Sequence, residues 1–208
     1  MNKDKLLRLI NDFFKRTFDI LVSFVAIVIL FPFFIVVSIL IKVDSKGPVI
    51  FRQVRVGKNE KNFEILKFRT MVTDAEKIGK QITIGEDKRI TKIGRFLRKY
   101  KLDEFPQLFN VLKGDMSFVG PRPEVPRYTS LYTDEQKEVF KVRPGITDYA
   151  SIKYRNENEI LGESENPEET YINKIMNDKL KINLEYLKRR SIIEDIKIIF
   201  KTLVKIIK

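Results

Sequence analysis

The sequence predicts an α+β fold, mainly α-helical, with one membrane-embedded helix, and three observations carry that prediction. Residues Ile20–Ile41 contain no charged side chain. Val49–Val56 and Phe63–Phe68 are strand-like runs joined through the turn residues Gly57, Lys58 and Asn59, a small β-hairpin. Much of the remaining apolar content recurs every three or four positions, the spacing of one helix face. The expected organisation is an N-terminal amphipathic segment and membrane helix over 1–43, a small cytoplasmic domain over 44–190, and a C-terminal amphipathic helix over 191–208.

The first nineteen residues mix Leu6, Phe13 and Phe18 with Lys3, Arg8, Lys15 and Arg16, as a short helix lying on a membrane face would. Ile20–Ile41 follows. As a straight helix it would be about 33 Å long, enough to cross the hydrocarbon core. It is too long for a secretory signal and lacks a small-residue cleavage site. Pro32, near its middle, removes one backbone bond and bends the helix. Basic residues flank both ends, Lys15 and Arg16 before, Lys42 and Lys46 after, and such residues favour the cytoplasmic side. A helix that breaks near Pro32 and leaves by the face it entered satisfies both flanks. A single spanning anchor satisfies the length. These residues leave both topologies open.

Asp44–Pro48 is a turn into the hairpin. Lys67 and Arg69 close the hairpin with two cations, which read equally well as a solvated strand end or as ligand-binding groups. Thr73–Lys92, with Gly79, Gly85 and the cluster Glu86–Arg89, reads as a loop. Ile93–Tyr100 is basic and helical. Arg95, Arg98, Lys99 and Lys101 crowd the approach to the next stretch.

That stretch, Lys101–Pro123, organises the chain. Asp103 and Glu104 are adjacent at an expected helix start. Pro106 occupies a first-turn position, Phe105, Leu108, Phe109 and Leu112 form an apolar face, and Lys113-Gly114 is the stop. The two carboxylates are thus expected in the first turn or its cap, where unpaired N–H groups and the dipole keep a carboxylate ionised and attract phosphate. Gly120-Pro121-Arg122-Pro123 fixes the backbone around an arginine, which lowers the cost of ordering it on a ligand. Beyond it, Tyr132–Phe140 reads as an amphipathic helix with a capping box from Thr133 to Gln136. Val142–Thr147 is a turn carrying Arg143, and Asn156–Glu169 an acidic surface loop. Tyr171–Lys208 is one or two helices. Its last part sets Ile193, Ile196, Phe200 and Leu203 against Lys197, Lys201 and Lys205, which suits either an anionic lipid interface or packing on the domain.

Composition narrows the chemistry. Lys and Arg number 40 against 28 acids, a net charge of +12 over 208 residues, which points to an anionic partner. Cysteine and histidine are both absent. That excludes disulfides, thiolate nucleophiles, histidine triads and histidine-ligated zinc. Catalysis is left to carboxylates, Lys, Arg, Tyr, Ser or a hard cation held by oxygens. Of the two neighbouring carboxylates, one could attack or bind while the other orients or abstracts a proton. Attack by Asp on phosphorus gives an acyl phosphate and divides one hard transfer into two easier ones. A diphosphate substrate would need Mg²⁺ and arginines to offset its charge.

The stretch KLDEFPQLFNVLKGDMSFVGPRP resembles the signature of the bacterial sugar transferase family, the monotopic polyprenyl-phosphate phosphoglycosyl transferases. The likeness extends to the membrane run, Gly47–Gln53, Lys67–Met71 and Arg143–Thr147, and the length matches the family's minimal unit. The resemblance implies transfer of a sugar-1-phosphate from a UDP-sugar to polyprenyl (undecaprenyl) phosphate with release of UMP, the first membrane step of surface glycan assembly. It implies a re-entrant membrane helix and a catalytic domain on the cytoplasmic face of the bacterial inner membrane. By position, Asp103 is the nucleophile and ligand of Mg²⁺ (or Mn²⁺), and Glu104 completes the dyad. Arg98 and Arg122 hold phosphate groups, and Arg69 joins them as a phosphate-binding candidate. Membrane lipid and a second copy of the chain are further partners; nucleic acid is not. Two positions depart from the family pattern. Phe31 precedes Pro32 where serine is usual, and Asp148 stands where a glycine usually follows Pro-Gly-Ile-Thr. The alternative, from another class, is a membrane-tethered basic module binding anionic lipid or nucleic acid. The net charge supports it, but no nucleic-acid recognition motif does.

Overall fold

Ile, Leu, Val and Phe dominate the N-terminal region, and in the computed structural model they wind into one helix. The structure describes residues 3–75 and 87–207, without the side chains of 3–9, 206 and 207. The readings at Gly79, Gly85 and Glu86, and those at side chains 3, 6 and 8, lie outside the described residues. α1 runs from Lys3 to Asp44. The expected separate helix before Ile20 is therefore continuous with the apolar run. Pro32 lies inside α1 and does not end it. Proline removes only the donor to the Val28 carbonyl, and the flanking turns keep theirs. Among the described residues α1 is the one helix long and apolar enough to cross a membrane. It buries one stripe, Asp19, Ser23, Phe34, Val37 and Ile41, and exposes Phe24, Val28, Phe31, Ile35 and Ile39 on its other faces.

The hairpin forms within a residue of its expected bounds. β1 (Ile50–Val56) pairs antiparallel with β2 (Asn62–Phe68). α2 (Lys92–Lys99) starts at Thr91, whose hydroxyl accepts from the Gly94 N–H at 3.0 Å. Its Leu97 joins Phe34, Val37, Ile41 and Phe68 in a core between α1 and the domain.

The central stretch divides differently from expectation. Leu102–Glu104 is its own 3-10 turn, and α3 begins later, at Gln107, and ends at Lys113. Asp103 and Glu104 are therefore not in the first turn of α3. Gly114 takes the left-handed conformation, φ 101°, which favours glycine. Arg16 from α1 donates to the Val111 and Leu112 carbonyls at 2.7 and 2.9 Å, satisfying orphan acceptors at the end of α3.

Where the sequence showed only turns, β3 (Ser117–Val119) and β4 (Gly145–Thr147) pair in parallel. A parallel pair needs a long crossover. Here it holds α4 (Pro126–Thr129) and a 3-10 helix, Gln136–Lys141, in place of the expected Tyr132–Phe140 helix. The capping box forms as expected, Thr133 N–H to Gln136 Oε1 at 3.0 Å and Gln136 N–H to Thr133 Oγ1 at 3.3 Å. Three-residue strands are too short to reveal alternation. What seats this pair is contact: a Cβ on Gly145 would lie 2.2 Å from the Gly120 nitrogen.

The C-terminal part is helical: α5 (Tyr149–Lys153), α6 (Glu157–Gly162), α7 (Pro167–Thr170), a π-helical turn at Tyr171–Met176, α8 (Asn177–Arg189) and α9 (Ile192–Ile207). The expected acidic loop at 156–169 is thus two short helices. Buried Leu161 docks α6 into a core with Tyr128, Phe140, Tyr171 and Ile175; one apolar residue among acids carries no readable period. α9 packs and exposes at once, burying Ile198 while presenting Ile193, Ile196, Phe200 and Leu203. Its N-terminal end is tied to α1 by Lys15–Asp195 and Asp12–Arg190 ion pairs.

Candidate active site

Asp103 and Glu104 belong to a turn that begins from a left-handed residue and ends on an aromatic contact. Lys101 before it is left-handed, φ 57°. Phe105 after it lies with its ring 5.5 Å from that of Phe33 in α1. The turn that carries the carboxylates thus packs beside Phe33 of the long apolar helix.

Their surroundings differ. Glu104 Oε1 accepts from Lys67 Nζ at 3.0 Å and from Arg122 Nη2. Asp103 is 8% exposed, and its Oδ1 has no partner among the described residues. Burial raises the Asp103 carboxyl above its ordinary range, opposed by Lys67, Arg98 and Lys101 and reinforced by Glu104. The raising by burial acts against the stabilisation of the charged form expected at a helix start. Burial alone would raise Glu104 too, but Arg122 and Lys67 outweigh it and hold Glu104 well below the usual carboxylate range. Lys67 is itself lowered by burial, partly offset by Glu104.

Arg122 is fixed at three points. Its N–H donates to Asp148 Oδ2 at 2.9 Å, Nη1 donates to the Ile146 carbonyl at 3.1 Å, and Nη2 reaches Glu104. The parallel β3–β4 pair brings the Gly120–Pro123 turn beside Thr147-Asp148, so this clamp depends on that pair. Asp148 is buried, and its Oδ1 also caps α5 through the Ser151 N–H at 2.5 Å. Arg98 Nε donates to Thr70 Oγ1 at 2.9 Å, and its charge acts on Asp103.

Arg69 is placed otherwise. It is buried, with Nη1 donating to the Lys46 carbonyl at 2.5 Å and Nη2 to the Ser45 carbonyl at 2.8 Å, so it closes the end of α1. Only its Nε lacks a partner among the described residues. The structure therefore brings together Asp103, Glu104, Arg98 and Arg122; Arg69 lines the same cleft but is bonded to the end of α1. Sequence reasoning left Lys67 undecided and missed the Asp148 clamp. The signal for Asp148 was present: an Asp three residues before Ser151 at a helix start is an N-cap pattern.

These groups line one cleft of about 1480 Å³. No cluster of three or more Asp, Glu, His or Cys side chains converges among the described residues. A divalent cation would find one buried, unpartnered carboxylate oxygen, on Asp103. That fits Mg²⁺, which takes one or two protein carboxylates and completes its shell with phosphate oxygens and water.

The family model described as "Bacterial sugar transferase" matches residues 10–208. The chain is 38% identical over 197 residues to the UDP-N-acetylgalactosamine-undecaprenyl-phosphate N-acetylgalactosaminephosphotransferase of Aeromonas hydrophila, covering 93% of this chain and 44% of that protein. It is 41% identical over 207 residues to the UDP-glucose:undecaprenyl-phosphate glucose-1-phosphate transferase of Klebsiella pneumoniae, covering 97% and 42%. With an exopolysaccharide production protein of Rhizobium leguminosarum it shares 39% identity over 197 residues, covering 91% of this chain and 93% of the relative. The chain thus spans less than half the length of the first two and nearly all of the third.

Proposed function

The chain belongs to the bacterial sugar transferase family, and from that premise we propose that it transfers a sugar-1-phosphate from a UDP-sugar to undecaprenyl phosphate at a membrane surface. The observation that carries this reading is the asymmetric pair: a buried Asp103 with an idle oxygen beside a Glu104 locked between Lys67 and Arg122.

Asp103 attacks the sugar-bearing phosphorus of the donor. An Asp103–phosphorus bond forms, the bond from that phosphorus to the oxygen bridging the diphosphate breaks, and UMP leaves with that oxygen. A phosphate oxygen of the acceptor then attacks the same phosphorus, Asp103 leaves as carboxylate, and a lipid diphosphate sugar results. Dividing the transfer in this way is what a carboxylate nucleophile permits. Burial makes Asp103 more basic and hence a better nucleophile once ionised, and the nearby cations favour that ionisation. Arg122 and Arg98 take the charge of the transferring phosphoryl group. Glu104, held low by two cations, is a poor base; it orients Arg122 and Lys67. Asp103 would hold Mg²⁺ together with the donor diphosphate, and the ion would supply electrostatic neutralisation of the phosphoryl oxygens.

A re-entrant α1 accompanies this reading. Both ends of the apolar run touch one domain: Arg16 and Asp19 bond to Leu112 and Phe118, while Phe34, Val37 and Ile41 pack with Phe68 and Leu97. A spanning helix would separate its ends by about 30 Å of hydrocarbon. Lys15, Arg16, Lys42 and Lys46 favour the cytoplasmic side for both. The chain has no cysteine, so single substitutions Asn2→Cys and Lys46→Cys report topology cleanly: both label from the cytoplasmic side, and labelling from opposite sides would make α1 a spanning helix.

The activity is tested by UMP release from a panel of UDP-sugars, with and without undecaprenyl phosphate. Labelled donor should leave a sugar-phosphate on Asp103 when the acceptor is withheld. Product without label at that residue would refute the covalent step.

A further inference from the structure

The transfer proposed above needs two substrates of opposite character in one cleft, a wholly polar nucleotide sugar and an amphiphile. At about 1480 Å³ the cleft exceeds the roughly 300–1,000 Å³ of a site for one small molecule. Its wall is also divided. One end holds the carboxylates, Lys67 and the arginines. Elsewhere the same cleft is lined by Ala26 and Leu30 of α1, Phe118 and Ile146 of the β3–β4 pair, and Ile199 and Leu203 of α9. A UDP-sugar has no use for such a surface.

The position of this apolar wall identifies its occupant. α1 and α9 are joined at their N-terminal ends, where Lys15 meets Asp195 and the Ile192 N–H meets Asn11 Oδ1 at 3.3 Å. Farther along they part. Both pack on β3, but α1 continues onto α2 and α3, whereas α9 continues onto β4 and α5. Phe118 lies between them, its ring 6.2 Å from that of Phe18 in α1, and packs on the same core as Ile199. Both helices also expose apolar residues outside the cleft lining, Phe24 and Val28 on α1, Phe200 and Val204 on α9. Leu30 packs in the core that holds Leu102 and Phe105, which bracket the carboxylates. The cleft's apolar lining therefore includes Ile199, Leu203 and Phe118 as well as Leu30, whose core reaches the turn that carries Asp103.

We propose that this fork, between Ala26 and Leu30 of α1 and Ile199 and Leu203 of α9, seats the first isoprene units of the acceptor lipid and delivers its phosphate to Asp103. The proposal rests on the transferase reading for the identity of the acceptor, but its test does not require turnover. A phosphate head fits the cationic inner end and an apolar chain fits the outer end, so the cleft matches an amphiphile lying across the membrane boundary.

The probe is farnesyl phosphate carrying a diazirine at its tail end, photolysed with the full chain in detergent micelles. Crosslinks are expected on α1 near Ala26 and Leu30 and on α9 near Ile199 and Leu203. Excess unlabelled undecaprenyl phosphate should compete them away, and Ala26→Trp, which fills the fork, should abolish them. Ile199→Trp serves if Ala26→Trp fails to fold. Crosslinks confined to the outer faces, or unaffected by both substitutions, overturn the proposal. In turnover, either substitution should raise KM for undecaprenyl phosphate about tenfold, the loss of contact with roughly two methylene groups. KM for a ten-carbon prenyl phosphate, which carries the same first units, should rise likewise, and KM for the UDP-sugar should stay within about twofold. An equal rise in KM for the UDP-sugar overturns the seat. Crosslinks in the fork without any sugar transfer would leave the seat standing and sink the transferase reading; transfer with crosslinks elsewhere would do the reverse.

Discussion

The turn Leu102–Phe105 and the segment Pro123–Val125 each hold a carboxylate-bearing residue in the wall of the same cleft, and they treat it in opposite ways. At Glu124 every oxygen is occupied. Oε1 accepts from Arg55 Nη1 and from the Val125 N–H, both at 2.8 Å, and Oε2 accepts from the Tyr171 hydroxyl. Together with the Val56 N–H bonded to the Glu124 carbonyl at 3.0 Å, this knits the segment to the hairpin. At Asp103 one oxygen is buried with no donor among the described residues. An unmet acceptor of this kind costs about 1–3 kcal/mol, and a fold keeps such a cost where the group has work to do. The satisfied carboxylate builds the wall. In the transferase reading proposed above, the unsatisfied one is the group that receives the ligand. Glu104 lies between these extremes, satisfied by the very cations that a diphosphate would also attract.

The strongest break in this comparison is Asp103→Asn. Loss of the nucleophile should lower turnover by about 10⁴-fold or more. Because burial raises the folded-state pKa of Asp103, its ionised form burdens the fold as pH rises through that value. The neutral variant should therefore melt no lower than the parent at neutral pH, and thermal denaturation beside the UMP assay checks both halves. The same raised pKa sets the acid limb of kcat/KM above the ordinary carboxylate range. Lys67→Met, which removes a cation that lowers Asp103, should move that limb to higher pH; an unmoved limb would dissociate it from Asp103.

Next is Arg122→Ala, which removes a charged donor from the transferring phosphoryl group and leaves Glu104 with Lys67 alone. The expected loss is about 2–4 kcal/mol of transition-state stabilisation, roughly 30- to 10³-fold in kcat/KM. A change below tenfold would assign Arg122 to the wall, with Glu124. Tyr171→Phe belongs to the wall by construction. It deletes the donor to Glu124 Oε2 and should cost about 1.5–3 kcal/mol of stability in a denaturant titration, with kcat within about twofold. A variant that kept its stability but lost activity would erase the distinction drawn between the two carboxylates.

Local spacing made much of this legible. The hairpin, α2, the stop at Gly114 and the Thr133–Gln136 box were all carried by neighbours within a few residues, and each formed. The gathering of Asp103, Glu104, Arg98 and Arg122 was readable from one contiguous signature and its approach. What escaped depends on pairs distant in sequence. Arg69 looks like a cationic strand end until the end of α1 is placed beside it. The β3–β4 pair consists of strands too short for a period, and without it the Asp148 clamp is invisible. The separate turn carrying the carboxylates was missed because Pro106 marks a helix entry equally well one turn later. For Pro32, composition predicts a break, and α1 nevertheless runs on through it from Lys3 to Asp44.

The finest test concerns that clamp. Asp148 accepts from two N–H groups, Arg122 through Oδ2 and Ser151 through Oδ1. Asparagine retains only one acceptor oxygen, so Asp148→Asn must give up one of the two bonds, worth about 0.5–1.5 kcal/mol. If Ser151 loses, α5 weakens and stability falls without a change in rate. If Arg122 loses, the guanidinium still reaches Glu104 but its backbone is less fixed, and kcat/KM for the UDP-sugar should drop roughly 2- to 13-fold. Asp148→Gly removes both bonds and separates the cases. If Arg122 depends on Asp148, the glycine variant is at least as slow as the asparagine one. Full activity in the glycine variant would show that the Gly120–Pro123 turn and Glu104 suffice to place the arginine.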